Sequence, residues 1–403
     1  MKNKFLINPF SLYGVAFGIV LLFYSFGWSA IYPKLSSSLL AFLIVTIVVM
    51  FSLGYLFYRR NYFYYTKISA NQSSLGWQLI GCYFLLVVEF IAARSIPFLS
   101  LLRESGFDYT NFGLPFIHVI YAAYQGVLAL FIFHCFLSKP KGERKRLGWY
   151  IFWSLIPGIL IVNRAMVMTT IIGMAIIYLM QVQSIRKIMI TFSFSAMVLL
   201  YLFGLMGNLR INGRSDSGAI MSIGQATDDF KENVVPGEFF WSYLYVASPL
   251  GNLQYNIDTK DLMSPVTDQD VQKMIIYEFM PEMLSKRIAS GADIDRKKVK
   301  LVNPVLNAYS VYAAAYSYLG WAGMWLMFIF SLFFIFFNLL LLPRNSPYFI
   351  TGVALISTVM ILNIFNNFFA FMNVVSQLFV VNLLSLPYLI NMYKERRSIK
   401  RTI

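Results

Sequence analysis

Charge is scarce in this sequence: 13% of its 403 residues are charged, 58% are hydrophobic, and the mean hydropathy is +0.64. A water-soluble core of that size could not enclose so much apolar surface. Repeated uncharged runs of about 20 residues, each long enough as helix to cross roughly 30 Å of hydrocarbon, predict an all-α polytopic membrane protein. Cysteine is scarcer still. Cys82 and Cys135 both fall inside apolar runs, which excludes a disulfide framework. With two histidines there is no Cys/His cluster to suggest zinc. No G-x-x-x-x-G-K-[ST] loop occurs, which argues against an ATP-driven pump, and no cofactor is expected.

The apolar runs place ten membrane helices at about 10–32, 36–58, 76–93, 114–137, 148–163, 165–182, 188–206, 319–342, 347–366 and 369–392. The run from Gly148 to Met180 is too long for one comfortable span, and Pro157 with Asn163-Arg164 breaks it into two short helices. The opening MKNK and the apolar stretch after it have the charge order of a signal peptide. That stretch is too long and lacks a small-residue cleavage site, so it reads as a retained first helix. Three regions follow: membrane helices in 1–206, a large hydrophilic loop in 207–304, and membrane helices with a basic tail in 305–403.

A net charge of +15 would suggest nucleic acid in a soluble chain, but topology accounts for the basic residues. With the N-terminus inside, 18 of the 33 lie in inner segments, above all KPKGERKR and KERRSIKR. The short outer segments carry only Lys34, Arg94, Arg103 and Arg164, so both termini are expected in the cytoplasm. The large loop holds 11 basic and 13 acidic residues and is no polybasic arm for nucleic acid or lipid surfaces. Its stretches EFFWSYLYVASPLGNLQY and VQKMIIYEFMPEML repeat apolar residues at helix spacing, which predicts amphipathic helices capping the outer membrane face.

Few polar groups are placed to do chemistry. Arg210 and Arg214, in GNLRINGR just beyond the seventh helix, share one face if that helix continues. Arg164 stands in the break between the fifth and sixth helices, a costly place for a charge. A planar guanidinium suits phosphate or pyrophosphate bidentately and can stabilise charge developing on a phosphate leaving group. Anchoring to lipid headgroups, or pairing with loop acids such as Asp216, is the plainer role for Arg210 and Arg214. His118, about one turn into the fourth helix, suits a general base on a sugar hydroxyl or a packing residue, whereas His134 near the inner end reads as structural. Glu89 is the one acid well inside an apolar run, with Arg94 its nearest partner in sequence, as a substrate contact or an interfacial ion pair. The pairs Asp228-Asp229, Asp268 with Asp270, and Asp293 with Asp295 have the spacing to hold a hard cation, but so acidic a loop produces such pairs by chance. No metal site is expected.

In order along the chain, NPFSLY, GWSAIYP, FGLPFIH, NRAMVMTTIIG, GNLRINGR, YLYVASPLGNL and YSYLGWAGM, together with the single large outer loop, resemble the bacterial oligosaccharide repeat-unit polymerases, the O-antigen polymerases of the Wzy class. The resemblance implies a GT-C-like membrane glycosyltransferase in the bacterial inner membrane, acting at its periplasmic face. Its substrates would be undecaprenyl-diphosphate-linked oligosaccharides, the growing glycan moving onto the incoming lipid-linked unit, with membrane lipid around it and a polysaccharide chain-length regulator admitted as partner. It implies catalytic outer-face arginines at Arg164, Arg210 and Arg214, and substrate contacts at Tyr245, Ser248 and Asn252. Some members separate an arginine and a glycine by ten residues in each of two outer loops; here nine lie between Arg214 and Gly224, with no second copy. Related ligases use a histidine in the large loop, and this loop has none.

An O-antigen ligase and a non-catalytic lipid-linked oligosaccharide flippase are the competing readings. A flippase needs charged residues distributed through a central cavity, yet most of these helices contain none. Enzymes using polyprenyl-monophosphate sugars commonly place acids in the first outer loop, where this chain has only a short turn with Lys34.

Overall fold

A computed structural model describes residues 4–103, 112–114, 116–182, 217–232, 234–259, 266–292 and 295–402, with isolated positions in 183–216. Its elements are α1 (Pro9–Ser25), α2 (Ser37–Arg59), α3 (Gln72–Ala93), α4 (Pro97–Arg103), α5 (Ile117–Ser138), α6 (Lys145–Leu160), α7 (Arg164–Gln181), α8 (Gly218–Ile223), α9 (Asp228–Lys231), α10 (Glu238–Asp258), α11 (Asp268–Met274) running into a π-helical turn at Ile275–Phe279, α12 (Glu282–Ala292), α13 (Val311–Leu341), α14 (Phe349–Leu362) and α15 (Met372–Thr402). Among the described residues there is no strand, only an isolated bridge between Ser29 and Ala226.

The protein is an α-helical polytopic membrane protein. Six helices, α2, α3, α5, α7, α13 and the first 24 residues of α15, are long and apolar enough to cross a bilayer, while α1 and α14 are apolar but shorter. Their outward faces are apolar too: Trp77 is 72% and Phe84 68% exposed, surface that lipid rather than water would cover. α14 is buried along almost its whole length and packs on α1, α7 and α15 at the centre of the bundle.

Contacts sort the helix ends into two faces. At one, Lys4 Nζ donates to the carbonyls of Leu179 and Val182, Tyr65 Oη lies 3.1 Å from Ser138 Oγ, and Arg344 donates to Asn61 O at 2.9 Å. At the other, Thr227 N donates to Trp28 O at 3.0 Å, Val311 N to Asn363 O at 2.9 Å, and Asn367 Nδ2 to Glu278 O at 2.8 Å. All the described helices of the large loop gather at this second face.

The chain breaks at 161–163, as Asn163-Arg164 predicts: Val162 adopts φ 57 and the Asn163 side chain caps α7 by accepting from Met166 N. Other limits move. α1 stops at Ser25 instead of about 32, because Gly27 (φ 63) turns the chain so that Trp28 and Ser29 bond to the loop. α13 starts at Val311, not 319; Gly320 (φ 60) only breaks it locally, and the turns before it are buried. The helix expected at 188–206 lies outside the described residues apart from scattered positions.

The loop is held down by side chains that bond to backbone. In α10, Asn252 Nδ2 donates to Leu306 O at 2.8 Å and Ala308 O at 2.7 Å, its Oδ1 accepts from Val302 N at 2.8 Å, and Ser248 Oγ donates to the same two carbonyls at 3.1 Å. Asn256 repeats the arrangement one turn on, against both the N–H and the carbonyl of Lys300. An irregular segment without ladder partners thus has backbone groups satisfied by one helix face. Trp28, Phe230, Phe240 and Tyr243 cluster beside it, joining the turn after α1 to the loop.

Candidate functional site

His118 sits in the first turn of α5, where its N–H donates to Leu114 O at 2.9 Å. The turn is tight: Gly113 has φ 103 and Phe116, the residue before the helix, has φ 67. A Cβ at Gly113 would fall 2.6 Å from the imidazole, so a glycine is needed where the chain passes the ring. Opposite, Glu89 lies near the end of α3 with no surface exposed, and its Oε2 is 2.9 Å from His118 Nδ1. Its Oε1 has no hydrogen-bond partner among the described residues, nor has the buried hydroxyl of Tyr121, whose ring centroid is 6.4 Å from that of His118.

The pairing has a chemical consequence. A carboxylate that accepts a hydrogen bond from Nδ1–H favours one tautomer and orientation of the imidazole, leaving Nε2 to accept a proton from elsewhere. The His118 side chain is 23% exposed, so it joins the buried Glu89 carboxyl to the site's surface. A cavity of 310 Å³ opens there, lined by Phe112, His118, Ile161, Val162, Asn163, Arg164 and Ala165. Arg164, first residue of α7, is exposed and makes no ion pair among the described residues.

Two residues far apart in the sequence readings, His118 and Arg164, therefore line one cavity, with Glu89 behind the histidine. The pairing of Glu89 with Arg94 is corrected: Arg94 ends α3 in the left-handed conformation (φ 50) and is exposed, while the carboxylate turns inward to α5. Arg210 and Arg214 lie outside the described residues. Ser248 and Asn252 are buried in the clasp described above, with their hydrogen-bonding groups committed to backbone. Tyr245, on the same helix, is partly exposed and packs on Phe365 with ring centroids 5.3 Å apart.

One buried ion pair escaped the sequence reading. Glu278, within the π-helical turn and fully buried, accepts from Arg296 Nη2 at 3.1 Å and from Asn367 Nδ2 at 2.8 Å, joining the loop to the connection between α14 and α15. Burial pushes its carboxyl above the ordinary value, against the pull of Arg296 and Asn367. The available signal was a lone acid in the apolar run MIIYEFM. Of the spaced aspartates, Asp270 is committed to Lys297 Nζ at 3.2 Å and to the cap of α11, and no metal-binding group of three or more His, Cys, Asp or Glu occurs among the described residues.

No family model, curated protein or solved structure matches the chain.

Proposed function

We propose that the protein is a membrane glycosyltransferase of the polysaccharide-polymerase type, moving a growing glycan from a polyprenyl diphosphate onto an incoming lipid-linked repeat unit. The observation that carries this reading is the Glu89–His118 pair opening on a cavity with Arg164. In the reaction, an acceptor sugar hydroxyl attacks the anomeric carbon of the donor. The new carbon–oxygen bond forms as the bond to the diphosphate breaks, His118 takes the hydroxyl proton, and Arg164 meets the charge gathering on the diphosphate. Arg210 and Arg214 supply further cations in this reading. The site lies at the periplasmic face of the bacterial inner membrane, with both termini cytoplasmic.

Deletion of the gene, with surface lipopolysaccharide run on a gel beside a complemented strain, tests the reading. A ladder collapsing to core plus one repeat supports polymerisation. Loss of the first repeat as well moves the assignment to export or ligation, and an unchanged ladder removes it for that glycan.

A further inference from the structure

At the face opposite the large loop, Arg344 stands exposed in the short connection between α13 and α14. Asn61, in the connection after α2, adopts the left-handed conformation (φ 49), and its carbonyl accepts from Arg344 Nη2 at 2.9 Å. Tyr62 and Tyr64 follow it, with ring centroids 5.2 and 4.6 Å from the guanidinium carbon. Two aromatic rings and one carbonyl thus fix the guanidinium plane. Its other N–H donors are left without a hydrogen bond, and Arg344 makes no ion pair, among the described residues.

The same guanidinium lines an apolar groove of 640 Å³ between α2, α13 and α15. Phe57, Phe336, Leu340 and Met392 supply its walls, Tyr62 and Tyr393 its phenol groups, and Arg344 is its one charged lining residue. Phe336 and Leu340, one turn apart on α13, are 42% and 65% exposed, so the groove opens outward to where lipid would lie. Arg344 follows the last turn of α13, which puts the cation at the water-facing end of an apolar trough, with tyrosines beside it as at a membrane interface.

We infer that this groove binds an anionic phospholipid of the adjoining leaflet, its phosphodiester on Arg344 and an acyl chain along Phe336 and Leu340. Charge complementarity selects the headgroup: a zwitterionic lipid brings its own ammonium to a cation that has no acid partner, whereas an anionic one does not. The surrounding face suits such a leaflet, with Arg59, Arg60 and Lys141 also exposed on it. The groove lies across the bundle from His118, so the inference is independent of the proposed reaction.

The test uses the full chain in neutral detergent, titrated with phosphatidylglycerol and, separately, with phosphatidylcholine of the same acyl chains, the first bound lipid being measured by native mass spectrometry. Phosphatidylglycerol should bind about fivefold tighter or more. Arg344→Ala should remove most of that preference, and Arg344→Lys should recover part of it, because an ammonium keeps the charge and loses the fork of donors. Tyr64→Leu keeps the charge but loosens the guanidinium, and should weaken phosphatidylglycerol about twofold to fivefold. Lys141→Ala, which removes an exposed cation outside the groove, should change nothing. Melting curves establish that each variant is folded; if Arg344→Ala is not, Arg344→Lys and Tyr64→Leu decide. Equal affinity for the two lipids, or insensitivity of the folded Arg344 and Tyr64 variants, overturns the site. An equal loss in Lys141→Ala would assign the preference to diffuse surface charge and overturn it too. Displacement of phosphatidylglycerol by millimolar inorganic phosphate would make this a site for a free anion and overturn the lipid assignment, whereas retention supports it.

Discussion

Glu89 Oε2 and His118 Nδ1 meet at 2.9 Å between α3 and α5, with Glu89 fully buried. Leaving a buried carboxylate without a hydrogen-bonding partner is costly, and this imidazole is the one side-chain partner it has among the described residues. The helix packing that hides the acid also orients the imidazole.

If His118 is the base, His118→Ala should lower glycan elongation by about a hundredfold or more, the usual worth of a positioned general base. Glu89→Gln preserves shape but loses the carboxylate, and should cost about 10- to 100-fold, in the manner of a supporting group behind a reactive imidazole. Incorporation of labelled lipid-linked repeat units in membranes, normalised to protein present, reads both. Full activity in folded His118→Ala would remove the residue from the mechanism.

Asn252 should matter for stability rather than turnover. Its amide serves three backbone groups at once, so Asn252→Ala strands Val302 N, leaves Leu306 O and Ala308 O to share the single Ser248 hydroxyl, and should destabilise by about 2–4 kcal/mol. Ser248→Ala, which removes a shared donor from carbonyls that Asn252 still serves, should cost nearer 1 kcal/mol. Melting temperatures in detergent measure the difference. A sharp activity loss in Asn252→Ala at unchanged stability would instead return the residue to substrate binding.

Membrane class and the break before Arg164 were legible because each rests on local composition: uncharged runs, and a cap residue followed by a charge. Partnerships between helices were not. Glu89 has Arg94 near it in sequence, but nothing local signals that α3 and α5 pack with His118 facing it, and a left-handed residue at Arg94 cannot be read from an arginine. Ser248 and Asn252 were expected as substrate contacts through the family resemblance alone, and the structure commits their hydrogen-bonding groups to backbone. The irregular segment 300–308 that they and Asn256 satisfy carries no periodic signal of its own.

The two faces of the bundle give a labelling prediction. Lys231, exposed on α9 in the large loop, and Lys141, exposed in the turn between α5 and α6, lie at opposite faces. In a background with Cys82 and Cys135 replaced, Lys231→Cys in intact spheroplasts should react with a membrane-impermeant maleimide, and Lys141→Cys should react only after permeabilisation. The reverse pattern would turn the proposed orientation over and move the His118 cavity to the cytoplasmic side.

Glu278 and Asp270 make stability depend on pH in opposite senses. Burial raises the carboxyl of Glu278 above its ordinary 4.5, so folding favours its protonated form, and the stability this contributes is lost as pH rises from 4.5 through the raised value. Asp270 goes the other way. Burial pushes its carboxyl up, but the Thr267 N–H and Lys297 outweigh that and hold it below 3.8, so its contribution is present above 3.8 and lost on further acidification. The windows do not overlap. Melting temperature should therefore fall on the alkaline side of 4.5 in the native protein, and Glu278→Gln, which keeps an acceptor for Arg296 and cannot ionise, should flatten that limb alone. Asp270→Asn should flatten only the limb below 3.8. A native profile that instead rises through the first window would mean that Arg296 and Asn367 outweigh the burial of Glu278.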